Sequence, residues 1–302
     1  MSQHRTVTII GSSNADLAVT MDRLPGPGET VLAHSFITTP GGKGANQALA
    51  ARLAGAETEF IGAVGRDANA DVALGMLAEA GVQLSRVRRV DAPTGVALIS
   101  IDAAAENSIA VVPGANATVT ADVVAELGEV RGVVVLQGEI PAAAVEQAAA
   151  QAERVVLNLA PVIAVDLDVI RAADPLVVNE HEAALVLEQF GGDVPAEPED
   201  AARALLGHGV RSVVITLGAA GSLVAEPHDD GARLSRVDAI RADAVDTTGA
   251  GDAYTGALAA RLAAGDELIA AAGFAARFSA ASVAKPGAQA SYPRTLDELP
   301  GA

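Results

Sequence analysis

The chain has no cysteine and no tryptophan, and aromatic residues make up only 2% of its 302 positions. A disulfide framework, a thiolate metal centre and a cysteine nucleophile are therefore excluded, and the lack of thiols fits a reducing cytoplasm. Hydrophobic residues still amount to 50%. With few rings, the core must be built from Ala, Val, Leu and Ile through close approach of helices and strands. Lysine is as scarce, with Lys43 and Lys285 the only two. Twenty Lys+Arg against 38 Asp+Glu leave a formal charge of −18, a surface that repels nucleic acid and anionic lipid, so neither is an expected partner. Any site for a polyanionic substrate has to make its own positive potential. No apolar run is long enough to span a bilayer, and the polar start, 1–7, lacks a signal-peptide centre. A soluble cytoplasmic protein is expected.

What is present is a regular alternation of strand and helix patterns. Thr6-Val7-Thr8-Ile9-Ile10 reads as a buried first strand, with Asn14 and Asp16 just past its end. Segments 17–19 and 31–38 flank a Pro-Gly-Pro-Gly turn and read as exposed strands of a small flap. The pattern gives a strand over 59–64, a helix over 68–80 closed by Gly81, and a strand region over 82–90. A hairpin of 94–101 and 107–112, turning at 103–106, joins the flap. Helices over 121–127, 142–152 and 200–206 then alternate with strands over 132–136, 155–159, 176–178 and 212–217. A further helix opens at Asn179 and runs to Phe190, an acidic loop spans 191–199, and Ala-rich helices cover 250–263 and 266–284. Strands separated by helices of ordinary length pair in parallel through right-handed crossovers, and their polar carboxyl ends share one edge, where open α/β sheets bind ligands.

Two glycine-rich turns carry the candidate chemistry. In the first, Gly41-Gly42-Lys43-Gly44-Ala45-Asn46-Gln47 opens a helix, with Lys43 and Asn46 three residues apart on one face. It is not a Walker loop, because Gly44 stands where Ser or Thr is needed. Its plainer reading is a turn feeding a helix. In the second, Asp246-Thr247-Thr248-Gly249-Ala250-Gly251-Asp252 leads into an Ala-rich helix. Unpaired amides and the helix dipole suit this turn to a phosphate. Asp252 is then either a carboxylate complementing the dipole or a base that takes a proton from an attacking hydroxyl.

Together, in this order and separation, the two turns resemble the signatures of the ribokinase family of carbohydrate kinases. The similarity runs from Asn14 to Pro293 and includes Asn14-Ala15-Asp16, Pro27-Gly28-Glu29-Thr30, Thr94-Gly95-Val96-Ala97, Gly114-Ala115-Asn116, Asn179-Glu180-His181-Glu182 and Gly287-Ala288-Gln289-Ala290-Ser291. The resemblance implies one domain over 1–302, a three-layer α/β/α sandwich on a mainly parallel sheet. It also implies a small β lid from about 15–40 and 94–113, through which such kinases form homodimers. It implies ATP-dependent phosphorylation of the primary 5-hydroxyl of a sugar, D-ribose first, with Mg²⁺ and a K⁺ activator. Asp252 would be the base, with Gly249, Ala250 and Gly251 as the anion hole. Asn14, Asp16, Gly42, Lys43, Asn46 and Glu139 would hold the sugar. Asn179 and Glu182 would help place Mg²⁺ and the ATP phosphates, Thr216 and Gly218 would lie near the nucleotide, and Asp246, Thr248, Ser282, Gly287 and Ser291 would surround the monovalent cation. The residues beside Glu139 depart from the family pattern.

Other readings remain at this level. Asn14 and Asp16 are also ordinary turn-formers, and Glu182 also suits a helix start. The substrate could be deoxyribose, fructose or a purine riboside. A sugar-binding regulator on the same fold would lack the base or the anion hole, yet Gly249, Gly251 and Asp252 are all present. A dinucleotide-dependent dehydrogenase is excluded, since no Gly-x-Gly-x-x-Gly follows the first strand.

Overall fold

The structure, a computed structural model, describes residues 6–104, 106–192, 194–229 and 231–301. The first five residues of the polar start, Ala105 of the hairpin turn and Asp193 of the acidic loop lie outside the described residues. In chain order the elements begin with β1 (Val7–Ile10), β2 (Asn14–Met21), β3 (Ala33–Gly41), α1 (Lys43–Leu53) and β4 (Thr58–Ile61). Next come β5 (Ala63–Val64), α2 (Ala68–Ala80), β6 (Arg88–Arg89), β7 (Gly95–Ile101) and β8 (Asn107–Val112). Then follow α3 (Ala121–Ala125), β9 (Val130–Gln137), α4 (Ala142–Gln151), β10 (Ala152–Asn158), α5 (Leu167–Ala172) and β11 (Ala173–Asn179). The last part holds α6 (Glu180–Gln189), α7 (Pro198–Gly207), β12 (Val213–Thr216), β13 (Ser222–His228), β14 (Gly231–Val237), α8 (Ala250–Ala264) and α9 (Leu268–Ser282).

The main sheet has the order β14-β13-β12-β11-β10-β9-β1-β4, parallel from β4 to β12 with an antiparallel hairpin at the far edge. Its strands are apolar on both faces. Val133, Val135 and Val156 pack into a layer with α1, α8 and α9, while Val134, Leu136 and Leu157 pack into the opposite layer with α4 to α7. Period-two alternation within an all-apolar run thus feeds two cores, as a sheet covered on both sides requires. A second sheet, β3-β2-β7-β8, stands apart from it. It leaves Phe36, Ile37, Leu98, Ile109, Val111 and Val112 exposed. Among the described residues no helix is long and apolar enough to cross a membrane.

Helix α2 has the expected bounds, because Asp67 caps it by accepting from the Ala70 amide and Gly81 closes it in a left-handed conformation. The 82–90 strand expectation is corrected. Only Arg88–Arg89 forms a strand there, paired with β5, and Gln83 makes a lone bridge to Glu59 before the chain turns at Leu84–Val87. The 59–64 strand is split into β4 and β5 around Gly62. The last helix starts at Leu268, because Asp266 turns back to pair with Arg261 at the end of α8 (2.7 Å). Helix α5 and the β13–β14 hairpin were not foreseen.

Helices α1 and α8 are in intimate contact, and Gly256 is what permits it. A Cβ there would lie 2.4 Å from the Gln47 carbonyl oxygen and 2.6 Å from Ala50 Cβ. With no side chain at the crossing, the first turns of both helices meet at the sheet edge where the parallel strands end.

Candidate active site

At that edge, α1 presents three donors to one carboxylate. Asp252, buried in the first turn of α8, accepts at Oδ2 from Asn46 Nδ2 (2.9 Å) and at Oδ1 from Gln47 Nε2 (2.9 Å). The Lys43 ammonium is 3.8 Å from Oδ1. The negative charge of Asp252 raises the Lys43 pKa, burial lowers it, and Glu139 and Glu182 raise it further, leaving the amine more basic than usual. Lys43 is thus a fixed cation in an otherwise acidic cleft.

Glu139, past the end of β9, accepts at Oε2 from Ser12 Oγ (2.5 Å) and from the Lys43 amide (2.9 Å). Asn14, at the start of β2, accepts from Asn116 Nδ2 (2.8 Å). Asp16 carries a buried Oδ1 with no hydrogen-bond partner. Burial, followed by the charges of Glu139 and Asp252, pushes its carboxyl up to about 6. An orphaned carboxylate oxygen of this kind is costly unless a donor arrives. Asn14, Asp16, Gly42, Lys43, Asn46, Glu139 and Asp252 are thus gathered at one place.

The second turn lies beside them. Gly249 caps α8 at φ 74°, a left-handed conformation held by Tyr292, whose Oη donates to the Gly249 carbonyl (3.0 Å). Gly251 sits in the first turn, where the helix supplies no carbonyl to its amide. The Ala250 amide, the third of the expected anion-hole donors, bonds to the Thr247 carbonyl at 3.1 Å. Thr247, Ala250 and Gly251 form one end of a cleft of about 540 Å³. Its other walls are Thr216 at the end of β12, Gly218 just after it, the 239–244 loop, and Ala276, Ser279, Ala280 and Val283 of the α9 region. The expected Thr216 and Gly218 therefore share a largely apolar slot with the α8 amides, of a size that suits a nucleotide. The 239–244 wall was not anticipated.

Asn179 and Glu182 are engaged as a capping box on α6, Asn179 Oδ1 accepting from the Glu182 amide (2.8 Å) and Glu182 Oε2 from the Asn179 amide (2.9 Å). Glu182 therefore serves the start of α6, and its negative charge also raises the Lys43 pKa. Among the described residues no group of three or more His, Asp or Glu is placed to hold a metal. A divalent ion would fit here with nucleotide phosphates as its main ligands and Asn179 and Glu182 as oxygen-bearing neighbours.

Asp246 ties two loops together, accepting from the amides of Thr248 (2.9 Å) and Gly287 (2.8 Å). Burial works to raise its pKa, but hydrogen bonds from Thr248 and Gly287 outweigh it and keep the carboxyl below its usual range. Ser282 and Ser291 donate to the Ser279 and Ala288 carbonyls (2.8 Å each), leaving their oxygens as acceptors. Carboxylate, hydroxyl and carbonyl oxygens across these loops are the donor set that a hard monovalent cation takes.

Gln47, Gln137, Asn158 and Gln289 were missed as site residues. All four are buried; Gln47 bonds directly to Asp252, Asn158 and Gln137, and Gln289 donates to Asn46. The signal was a polar residue inside an apolar run, as Asn158 is in Val155-Val156-Leu157-Asn158-Leu159.

Comparisons with known proteins place the chain among the carbohydrate kinases. The model of the pfkB family carbohydrate kinases matches residues 4–295. The chain is 38% identical to ribokinase of Schizosaccharomyces pombe over 96% of both chains. Ribokinase of Thermotoga maritima superposes with a TM-score of 0.89 at 32% identity, over 97% of each chain. Arabidopsis thaliana ribokinase, solved with ribose and ATP, superposes with a TM-score of 0.86 at 30% identity, over 99% of this chain and 100% of that one.

Proposed function

The chain belongs to the pfkB family of carbohydrate kinases, and from that premise we propose that it transfers the γ-phosphoryl group of ATP to the 5-hydroxyl of D-ribose. The products are D-ribose 5-phosphate and ADP. The observation that carries this reading is that one helical turn serves both halves of the site. Asp252 touches Asn46 and faces Lys43 of the sugar-side turn, while Gly251, its neighbour, lines the nucleotide cleft.

Asp16 and Glu139 accept from the sugar hydroxyls, and Asn14, Lys43 and Asn46 donate, with the Gly42 backbone fixing the turn. The 5-hydroxyl then lies against Asp252, which takes its proton as the oxygen forms a bond to the γ-phosphorus. The bond from that phosphorus to the bridging oxygen breaks, and ADP leaves. The amides of Gly249 and Gly251 and the α8 dipole meet the charge on the transferring group, and the Ala250 amide joins them on release from the Thr247 carbonyl. Mg²⁺, near Asn179 and Glu182, would neutralise phosphate charge, and K⁺ beside Asp246, Thr248, Ser282, Gly287 and Ser291 would stiffen the two loops that frame the anion hole. The second sheet, about 15–40 and 94–113, acts as a lid over the sugar within one domain, and its exposed apolar side chains support a homodimer. The absence of cysteine supports a cytoplasmic setting.

Release of ADP tests the reading, measured with D-ribose, 2-deoxy-D-ribose, D-fructose and inosine, each with and without potassium. D-Ribose should give the highest kcat/KM, and potassium should raise it. A clear preference for another of the four would assign the site to that substrate instead.

A further inference from the structure

Asp252 is gripped from behind by a side chain that the sugar does not need. Gln47 on α1 has no exposed surface, and its Nε2 donates 2.9 Å bonds both to Asp252 Oδ1 and to Asn158 Oδ1. Its Oε1 accepts from Gln137 Nε2 at 2.8 Å. Asn158 donates from Nδ2 to the Val177 carbonyl at 2.9 Å. Gln137 and Asn158 are register partners at the ends of β9 and β10, so these amides rest on the rigid edge of the main sheet.

The direction of each bond is dictated from the two ends of the chain of amides. An ionised carboxylate and a backbone carbonyl only accept. Gln47 must therefore turn its NH₂ to Asp252, and Asn158 must turn its NH₂ to Val177. The Gln47 oxygen is left facing a donor, which Gln137 supplies. Flipping Gln47 or Asn158 would strand buried donors and acceptors against like partners.

We propose that Gln47 is a positioning residue for phosphoryl transfer, fixing the rotation of the Asp252 carboxylate so that Oδ2 meets the sugar hydroxyl. The inference rests on Asp252 being the base. Lys43 and Asn46 reach the same carboxylate from the substrate side, where a bound sugar shares them. Gln47 stays with Oδ1 throughout. As a neutral donor it orients the group without adding a second cation beside it, which would weaken a base.

Gln47→Met keeps the volume and removes the donor. We expect kcat to fall about 10–100-fold, as misplacement of a reacting group does, with KM for D-ribose and the melting temperature little changed. In an Asp252→Ala background, Gln47→Met should add less than about a twofold loss, because residues acting as one unit are not additive. A kcat near that of wild type, or an equal further loss on top of Asp252→Ala, overturns the inference. Should Gln47→Met not fold, Asn158→Ala frees the Gln47 amide from behind and is judged by the same split and the same non-additivity. Full turnover in Asp252→Ala alone would instead defeat the base assignment, which separates the two failures.

Discussion

Asp16 is the residue at which sugar recognition is most open to test. Its carboxyl is raised to about 6 by burial and by two neighbouring carboxylates, and its inner oxygen has no partner. Under the proposed function, sugar hydroxyls would donate to the ionised form, so binding would draw the carboxyl toward ionisation. Affinity for D-ribose should be flat above about pH 6 and should weaken as pH falls through that value, by up to roughly tenfold per unit. Calorimetric titration between pH 5 and 8 measures this. Asp16→Asn should bind more weakly and lose the pH dependence. The same slope in Asp16→Asn would assign the titration to another group.

At the scale of elements, the site depends on how closely α1 and α8 cross. Gly256→Ala puts a methyl against the Gln47 carbonyl and Ala50. Overpacking of this kind costs about 1–3 kcal/mol, which urea unfolding would register, and the shift should also lower kcat by moving Asn46 and Gln47 relative to Asp252. Wild-type stability and turnover would show that the crossing has slack. Elements with local signals were the ones readable in sequence. Helix α2 carries its own cap and its own terminating glycine, and the two glycine-rich turns announce themselves by composition. The 82–90 segment failed because Gln83 alone bridges β4 and Arg88–Arg89 alone pairs with β5, with a turn at Leu84–Val87 between them, a decision made by the neighbouring strand edges. The amides around Asp252 were illegible for a related reason. Gln47, Gln137 and Asn158 come from one helix and two strands, and only the assembled sheet edge makes them neighbours.

For the whole molecule, a formal charge of −18 surrounds a cleft whose one lysine faces three carboxylates, so local geometry rather than net charge has to bring in ATP. The second sheet adds a large-scale feature, six exposed apolar side chains on three of its four strands, more than a free surface sheet tolerates comfortably. Light scattering on the intact protein should give twice the chain mass of 30.2 kDa, and Leu98→Asp on a central strand of that sheet should give the monomer mass. A monomer before mutation would remove the lid as an interface. The central claim, that a carboxylate at the head of α8 takes the proton of the attacking hydroxyl, is tested most directly by Asp252→Ala. ADP release with saturating D-ribose and ATP should drop about 10²–10⁴-fold, while calorimetry still records D-ribose binding close to that of wild type. Turnover near the wild-type rate in that variant would contradict the account.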